Sequence, residues 1–243
     1  MNKKTSKIEG LNDLRRQLIL YHYMGLERLP FALKTLEPII VFNENEEVNN
    51  MAEIEVVTLE KVRKELGECQ RCKLHKSRKT IVFGEGDNSS GLMFIGEGPG
   101  EEEDLQGRPF VGKAGALLNS LINKMGLKRQ EVYITNTVKC RPPGNRDPEP
   151  DELETCRPFL IGQIQALKPR VIIGLGRVAS QSLLNTTTSI TALRGNVHDL
   201  MGIPFIPTFH PAYLLRNPKA KWATWEDAQR ALKILSENNP KKD

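Results

Sequence analysis

Apolar positions along the chain fall into two alternating patterns. Short apolar runs occur at residues 80–83, 92–95, 132–135, 171–173 and 203–206. Between them, apolar positions recur at helical spacing over residues 114–125, 151–167, 178–184 and 225–235. The short runs fit strands buried on both faces, and the spaced patterns fit helices with one apolar face. A further helix is predicted to begin at Thr58, whose hydroxyl can cap it, and to bury Leu59, Val62 and Leu66. Strands separated by helices predict an α/β fold, a three-layer α/β/α sandwich around a central, mostly parallel sheet of about four or five strands. Ligands of such sheets sit beyond the carboxyl ends of the strands. The loops after Ile95, Thr135 and Ile206 are therefore expected to meet.

The first 50 residues read differently. Leu11, Leu14, Leu18 and Ile19 lie at helical spacing, so a helix is expected over residues 11–24. Pro30 and Pro38 interrupt the next stretch, and the polar, acidic segment NENEEVNN at residues 43–50 reads as a linker. Met51 stands directly after it and is a possible alternative start. The chain thus divides into an extension over residues 1–50, a possible contact for a protein partner, and a main domain over residues 51–243.

Composition narrows the class. Hydrophobic residues make up 39% of 243, and 19 glycines add to them, enough for a real core. Wholesale disorder, collagen and coiled coil are excluded. No apolar run approaches the roughly 18 residues of a membrane span, and the basic N-terminus lacks the apolar stretch of a secretory signal. A cytoplasmic, membrane-free protein is expected. The net charge is +5. Residues 1–56 carry 7 basic and 9 acidic side chains, whereas residues 57–243 carry 28 and 21. The main domain therefore suits an anionic partner, although ordinary solubility charge gives the same excess.

The three loops carry the candidate chemistry. The first runs Gly96-Glu-Gly-Pro-Gly and then has four consecutive acids, Glu101 to Asp104. Those acids would repel a pyrophosphate, so this is neither a dinucleotide fingerprint nor a Walker loop. Carboxylates handling a water or a developing cation fit better; a solvated helix start is the bland alternative. Phe110, further along, reads as core packing on pattern alone. In the second loop Asn136 follows a strand, where its amide can cap the strand end or match the edge of a base. Arg141 to Arg146 form a stiff basic stretch suited to a phosphate backbone. In the third loop His210 precedes Pro211. Leu214 and Leu215 are either core or a wedge that enters a base stack, and Arg216 adds a cation beside them.

All four cysteines stand at metal-compatible spacings: Cys69 and Cys72 as C-x-x-C, then Cys140 and Cys156. A disulfide scaffold is a poor fit for a reducing compartment. Four thiolates suit tetrahedral zinc and a 4Fe–4S cluster alike, and spacing does not separate them.

Taken together, these residues resemble the family 4 uracil-DNA glycosylases, the iron–sulfur branch of the uracil-DNA glycosylase superfamily. The stretches GEGPGEEEDLQGRPFVGKAG, TNTVKCRPPGNR and HPAYLLRNP match the family's motifs in order, over about residues 57–237. The resemblance implies a 4Fe–4S cluster on Cys69, Cys72, Cys140 and Cys156. It implies a monomeric, monofunctional enzyme that flips uracil out of single- or double-stranded DNA. Hydrolysis of the N-glycosidic bond then leaves an abasic site and starts base excision repair. Phe110 matches the stacking aromatic, Asn136 the base-reading asparagine and His210 the histidine near uracil O2. Glu97 and Glu103 match two acids of the pocket, either of which could handle the water. Gly98 stands where the best-known branch has an aspartate, and its backbone is expected against the base. Arg141, Arg146, Leu214 and Arg216 are the expected DNA contacts. A non-catalytic or covalent uracil-DNA-binding protein of the same superfamily is the alternative. The inserted Lys-Arg-Arg-Ile-His loop of the covalent branch does not occur here.

Overall fold

In the computed structural model, residues 56–237 are described. The expected helix over residues 11–24, the linker at 43–50 and the role of Met51 lie outside them. Thr58 caps α1 (Leu59–Leu66), its hydroxyl accepting from the Lys61 amide at 3.2 Å. The chain continues through β1 (Leu92–Gly96), α2 (Glu101–Gln106), α3 (Lys113–Lys124) and β2 (Tyr133–Asn136). Next come α4 (Pro150–Leu167), β3 (Val171–Leu175), α5 (Arg177–Leu184) and the short α6 (Ile190–Leu193). The last elements are β4 (His198–Leu200), β5 (Ile203–Thr208), α7 (Pro211–Arg216) and α8 (Lys221–Glu237).

The five strands form one sheet in the order β2-β1-β3-β5-β4. All pairings are parallel except β4 with β5. Successive strand residues face opposite sides, so each strand feeds two cores. Leu92, Phe94, Ile134, Ile173 and Ile206 pack on one face with Leu118 and Ile122 of α3 and Ala228 and Ala231 of α8. Met93, Ile95, Tyr133, Ile172 and Phe205 pack on the other with Leu160 and Ile164 of α4 and Leu183 of α5. Helices thus cover both faces, which is the expected three-layer α/β/α sandwich. A smaller core joins α1 to α4 and to the loop after β2 through Val62, Leu66, Val138, Cys140, Cys156 and Phe159.

Two elements differ from expectation. The run at residues 80–83 is not a strand of the sheet. Ile81 and Val82 are buried, but the segment is extended chain: Phe83 O accepts from the Thr135 hydroxyl of β2 at 2.9 Å, and backbone pairing with the sheet is confined to an isolated bridge just beyond, from Glu85 to Ile134. Gly84 at φ 140° and Gly86 at φ 97° turn it away before a ladder can form. Strand β4 has no counterpart among the apolar runs. It is three residues long and joins β5 through Met201 and Gly202, both at positive φ (57° and 79°). Two such residues make a tight hairpin turn.

Candidate active site

The carboxyl ends of β1 and β2 are zipped together beyond the sheet. Thr137 N donates to Gly96 O at 2.9 Å, and Val138 N to Glu97 O at 3.2 Å. Gly176, after β3, donates likewise to Thr208 O at 2.8 Å, at the end of β5. The parallel strands put the three polar loops at one end of the sheet, and these bonds fasten them pairwise there.

Asn136, Phe110 and Gly96 make the floor of that end. Asn136 is 1% exposed, and its Oδ1 has no hydrogen-bond partner. A buried amide oxygen left unpaired is a cost that a bound donor would remove. A Cβ on Gly96 would stand 2.4 Å from Asn136 Oδ1 and 2.5 Å from Phe110 Cζ. Glycine is therefore required where the strand passes beneath both groups. Phe110 sits at φ 52°, a backbone conformation costing a non-glycine residue on the order of 1 kcal/mol. Its ring lies 5.7 Å from the His210 ring, tilted by 35°.

His210 caps α7. Its Nδ1 accepts from Ala212 N at 3.1 Å, so the ring proton resides on Nε2. Burial pushes its pKa down to about 4, Glu103 opposing and Arg216 adding to the shift. At neutral pH the imidazole is uncharged, with one N–H left to donate.

The two acids have different surroundings. Both oxygens of Glu103 are occupied by backbone: Oε2 by Gly100 N at 3.1 Å, Oε1 by Val111 N at 2.8 Å and Gly112 N at 3.1 Å. Glu103 thus ties the start of α2 to the turn that carries Phe110. The Glu97 carboxyl is instead pushed up to about 7, first by burial and then by the Asp147 carboxylate, with Arg177 opposing. Arg177 in turn pairs with Asp147. Neither Asp147 nor Arg177 stands out in the sequence, since no motif ties residues 30 apart to one carboxylate. At Gly98, a Cβ would meet Val138 Cγ2 at 2.9 Å, so the two loops pack closely there.

The basic and apolar candidates separate. Arg141 donates to Asn145 Oδ1 at 2.8 Å and lies 3.8 Å from the exposed Glu101. Arg146 grips the buried Glu152 with both terminal nitrogens, at 2.8 and 2.7 Å. That guanidinium braces the second loop and is committed inside the protein. Leu214 is 4% exposed and belongs to the core, whereas its neighbour Leu215 is 45% exposed. An α-helix turns successive side chains about 100° apart, so only one of the pair can face outward. The outward residue is Leu215, which corrects the expectation for Leu214. Arg216 is exposed beside it.

Cys69, Cys72, Cys140 and Cys156 are all free and line one pocket with Arg78, Lys139 and Phe159. Arg78 donates to Cys140 Sγ at 3.4 Å and to Cys69 O at 2.7 Å; Arg71 donates to Cys69 Sγ at 3.4 Å. Burial pushes the Cys140 thiol up to about 11 and raises Cys72 and Cys156 as well. Among the described residues, no three His, Cys, Asp or Glu side chains close on one ion-sized point. Zinc needs each sulfur about 2.3 Å from one centre. Four thiols around one pocket supply the donor set that a thiolate-held metal group uses.

A sheet of this order, covered by helices on both faces and with its polar loops gathered at one end, defines a three-layer α/β/α domain. The sequence model of the uracil DNA glycosylase superfamily matches residues 83–230, and the chain belongs to that superfamily. Its similarity is high to proteins named type-4 uracil-DNA glycosylase. The Thermotoga maritima protein is 50% identical over 161 residues, 65% of this chain and 84% of the relative. The Saccharolobus solfataricus protein is 46% identical over 187 residues, 73% and 87% respectively. The Archaeoglobus fulgidus protein is 38% identical over 191 residues, 75% and 96%. Among the described residues, no helix is long and apolar enough to cross a membrane.

Proposed function

We propose that this chain is a monofunctional uracil-DNA glycosylase that removes flipped-out uracil from DNA and leaves an abasic site. The observation that carries this reading is the buried, unpaired Oδ1 of Asn136 beside the Phe110 ring. Uracil offers its N3–H to that oxygen and its O4 to the amide NH2 of the same side chain. Cytosine presents the opposite pattern on this edge and leaves both groups unpaired. Mismatches of that kind cost about 1–3 kcal/mol for each buried group. Phe110 supplies the face against which the ring stacks.

As the glycosidic bond breaks, negative charge collects on the departing base and the sugar gains oxocarbenium character. His210 is suited to the first. Its Nε2–H is fixed by the cap on Nδ1 and donates toward O2, with no proton to lose at neutral pH. Glu97 is suited to the second. A carboxyl with pKa about 7 is a competent base for the attacking water near neutral pH. Glu103, consumed by three backbone amides, holds the Phe110 turn in place. Gly98 leaves room for backbone to approach the base. Leu215 is the apolar tip that fills the stack, Arg141 and Arg216 offer cations to the backbone, and Arg146 braces the loop between them.

Cys69, Cys72, Cys140 and Cys156 would hold a 4Fe–4S cluster. When bound, the cluster supplies no bond-making to the hydrolysis; it ties α1, α4 and the base-reading loop into one unit. The test is a single-turnover assay on a labelled oligonucleotide with one uracil, followed by alkali. Cleavage at uracil, absent at thymine and cytosine, is expected; a cluster-bearing protein that leaves uracil intact would overturn the reading.

A further inference from the structure

The base-reading loop has a buried cation behind it that the hydrolysis does not use. Lys139 is 1% exposed. Its ammonium donates to Thr135 Oγ1 at 2.6 Å, to the Asn136 backbone oxygen at 2.7 Å and to Gln163 Oε1 at 2.7 Å. The Gln163 amide is itself oriented, its NH2 donating to Phe83 O at 2.8 Å and Tyr133 OH at 3.1 Å. All three acceptors of the ammonium are therefore neutral. Among the described residues, no carboxylate pairs with it. A buried charge compensated only by neutral dipoles carries a large desolvation cost.

A compensating charge would come from a cluster bound on the other side of the same residue. Lys139 lines the pocket of the four cysteines, between the base-reading loop and Cys140 and Cys156. Four thiolates around an iron–sulfur core leave a net negative charge there. Arg78 and Arg71 also approach that pocket, but their side-chain hydrogen bonds go to Cys69, Cys140 and the end of α1. Lys139 alone among these three cations also holds the Asn136 backbone.

We propose that Lys139 is a positioning residue that joins the cluster site to uracil recognition: its ammonium balances the thiolate-held cluster and pins Asn136 by its carbonyl. This rests on the cluster and glycosylase readings above. It gives the cluster site a consequence for base selection through one named side chain. Lys139 touches neither the base nor the sugar.

The test uses the full chain with its cluster, as wild type, Lys139→Met, Lys139→Gln and Arg78→Met. Two quantities are read: the cluster's reduction potential, and affinity for an oligonucleotide carrying a non-hydrolysable uracil nucleotide. Removing a nearby positive charge makes electron uptake harder, so all three variants shift the potential to more negative values. Lys139→Met also weakens binding of the uracil oligonucleotide, roughly 10- to 100-fold, the usual effect of losing a supporting partner. Its binding of the uracil-free strand stays unchanged. Lys139→Gln retains part of the uracil affinity, because its amide can still donate to the Asn136 carbonyl. Arg78→Met leaves uracil affinity at the wild-type value. A wild-type potential in Lys139→Met, or a shifted potential with unchanged uracil affinity, overturns the proposal. Where the methionine variant fails to fold, the glutamine variant decides by the same two readouts. Wild type separates the layers. A colourless wild type overturns both the cluster reading and this proposal. A coloured wild type that binds uracil DNA without excising it removes only the proposed chemistry.

Discussion

Glu97 sets a specific pH dependence. Its carboxyl is raised from 4.5 to about 7 by burial and by Asp147. Only the ionised form can take a proton from water. The single-turnover rate should therefore rise tenfold per pH unit on the acid side and level off above pH 7. At pH 5.5 about 3% of the carboxyl is ionised, which puts the rate roughly thirtyfold below the plateau. His210 adds no second acid limb in this range, since its pKa is pushed down to about 4 and it stays neutral throughout. Asp147→Asn removes the like charge and should move the midpoint to lower pH. Glu97→Gln should lose the limb together with most of the rate. Folding responds in the opposite sense. A raised carboxyl adds stability that is complete below pH 4.5 and fades as pH rises through 7. Glu97→Gln should therefore fold at least as well as wild type at pH 8, so a lost rate there is a chemical loss. The assay is rapid-quench excision from a uracil oligonucleotide between pH 5.5 and 8.5. A flat profile in wild type, or a Glu97→Gln variant with the wild-type rate, would refute the assignment.

Other substitutions separate the remaining roles. His210→Ala should lower the single-turnover rate about 100- to 1,000-fold, as for other lost donors to a developing anion, with little change in DNA affinity; a larger change in affinity than in rate would count against the donor role. Gly96→Ala inserts a methyl 2.4 Å from Asn136 Oδ1 and should abolish uracil binding while strand β1 still forms; circular dichroism and binding to a uracil oligonucleotide report the two separately. Leu214→Ala should cost about 2–5 kcal/mol of stability as a core truncation. Leu215→Ala should cost little stability yet slow excision from duplex more than from single-stranded DNA; equal losses on both substrates would remove the wedge role.

Much of the architecture is legible because a buried parallel strand has a strong signature. Residues 92–95, 132–135 and 171–173 are apolar on both faces, and helices separate them. The run at 80–83 carries the same signature and is not a strand. Apolar content reports burial, and Ile81, buried in the small core with Val62, Val138 and Phe159, and Val82, bonded to Lys139 O, need no ladder. The two glycines at 84 and 86 are the available sign. Strand β4 escapes notice for the reverse reason. At an edge, with only Leu200 of its three residues buried, it has no apolar run to detect.

The site divides along another line. Residues proposed to act through their own chemistry, Asn136 and His210, stand at or just beyond strand ends, where a motif can mark them. Residues that act through what surrounds them do not. Glu97 and Glu103 are both glutamates in one acidic turn, equal in the sequence. Three backbone amides take up both oxygens of one, while burial and then a neighbouring carboxylate raise the pKa of the other. Arg141 and Arg146 look equivalent as well, until the buried Glu152 claims the second. Leu214 and Leu215 look equivalent until the helix turns one inward. In each pair the composition is the same and the partner decides the role. For Glu97 those partners come from elements distant in the chain, Asp147 from beyond the second loop and Arg177 from the start of α5. Beside the Phe110 ring the same rule holds: burial keeps His210 uncharged at neutral pH, the Glu103 carboxyl is taken up by backbone amides, and Asn136 Oδ1 is left as the one buried acceptor without a partner.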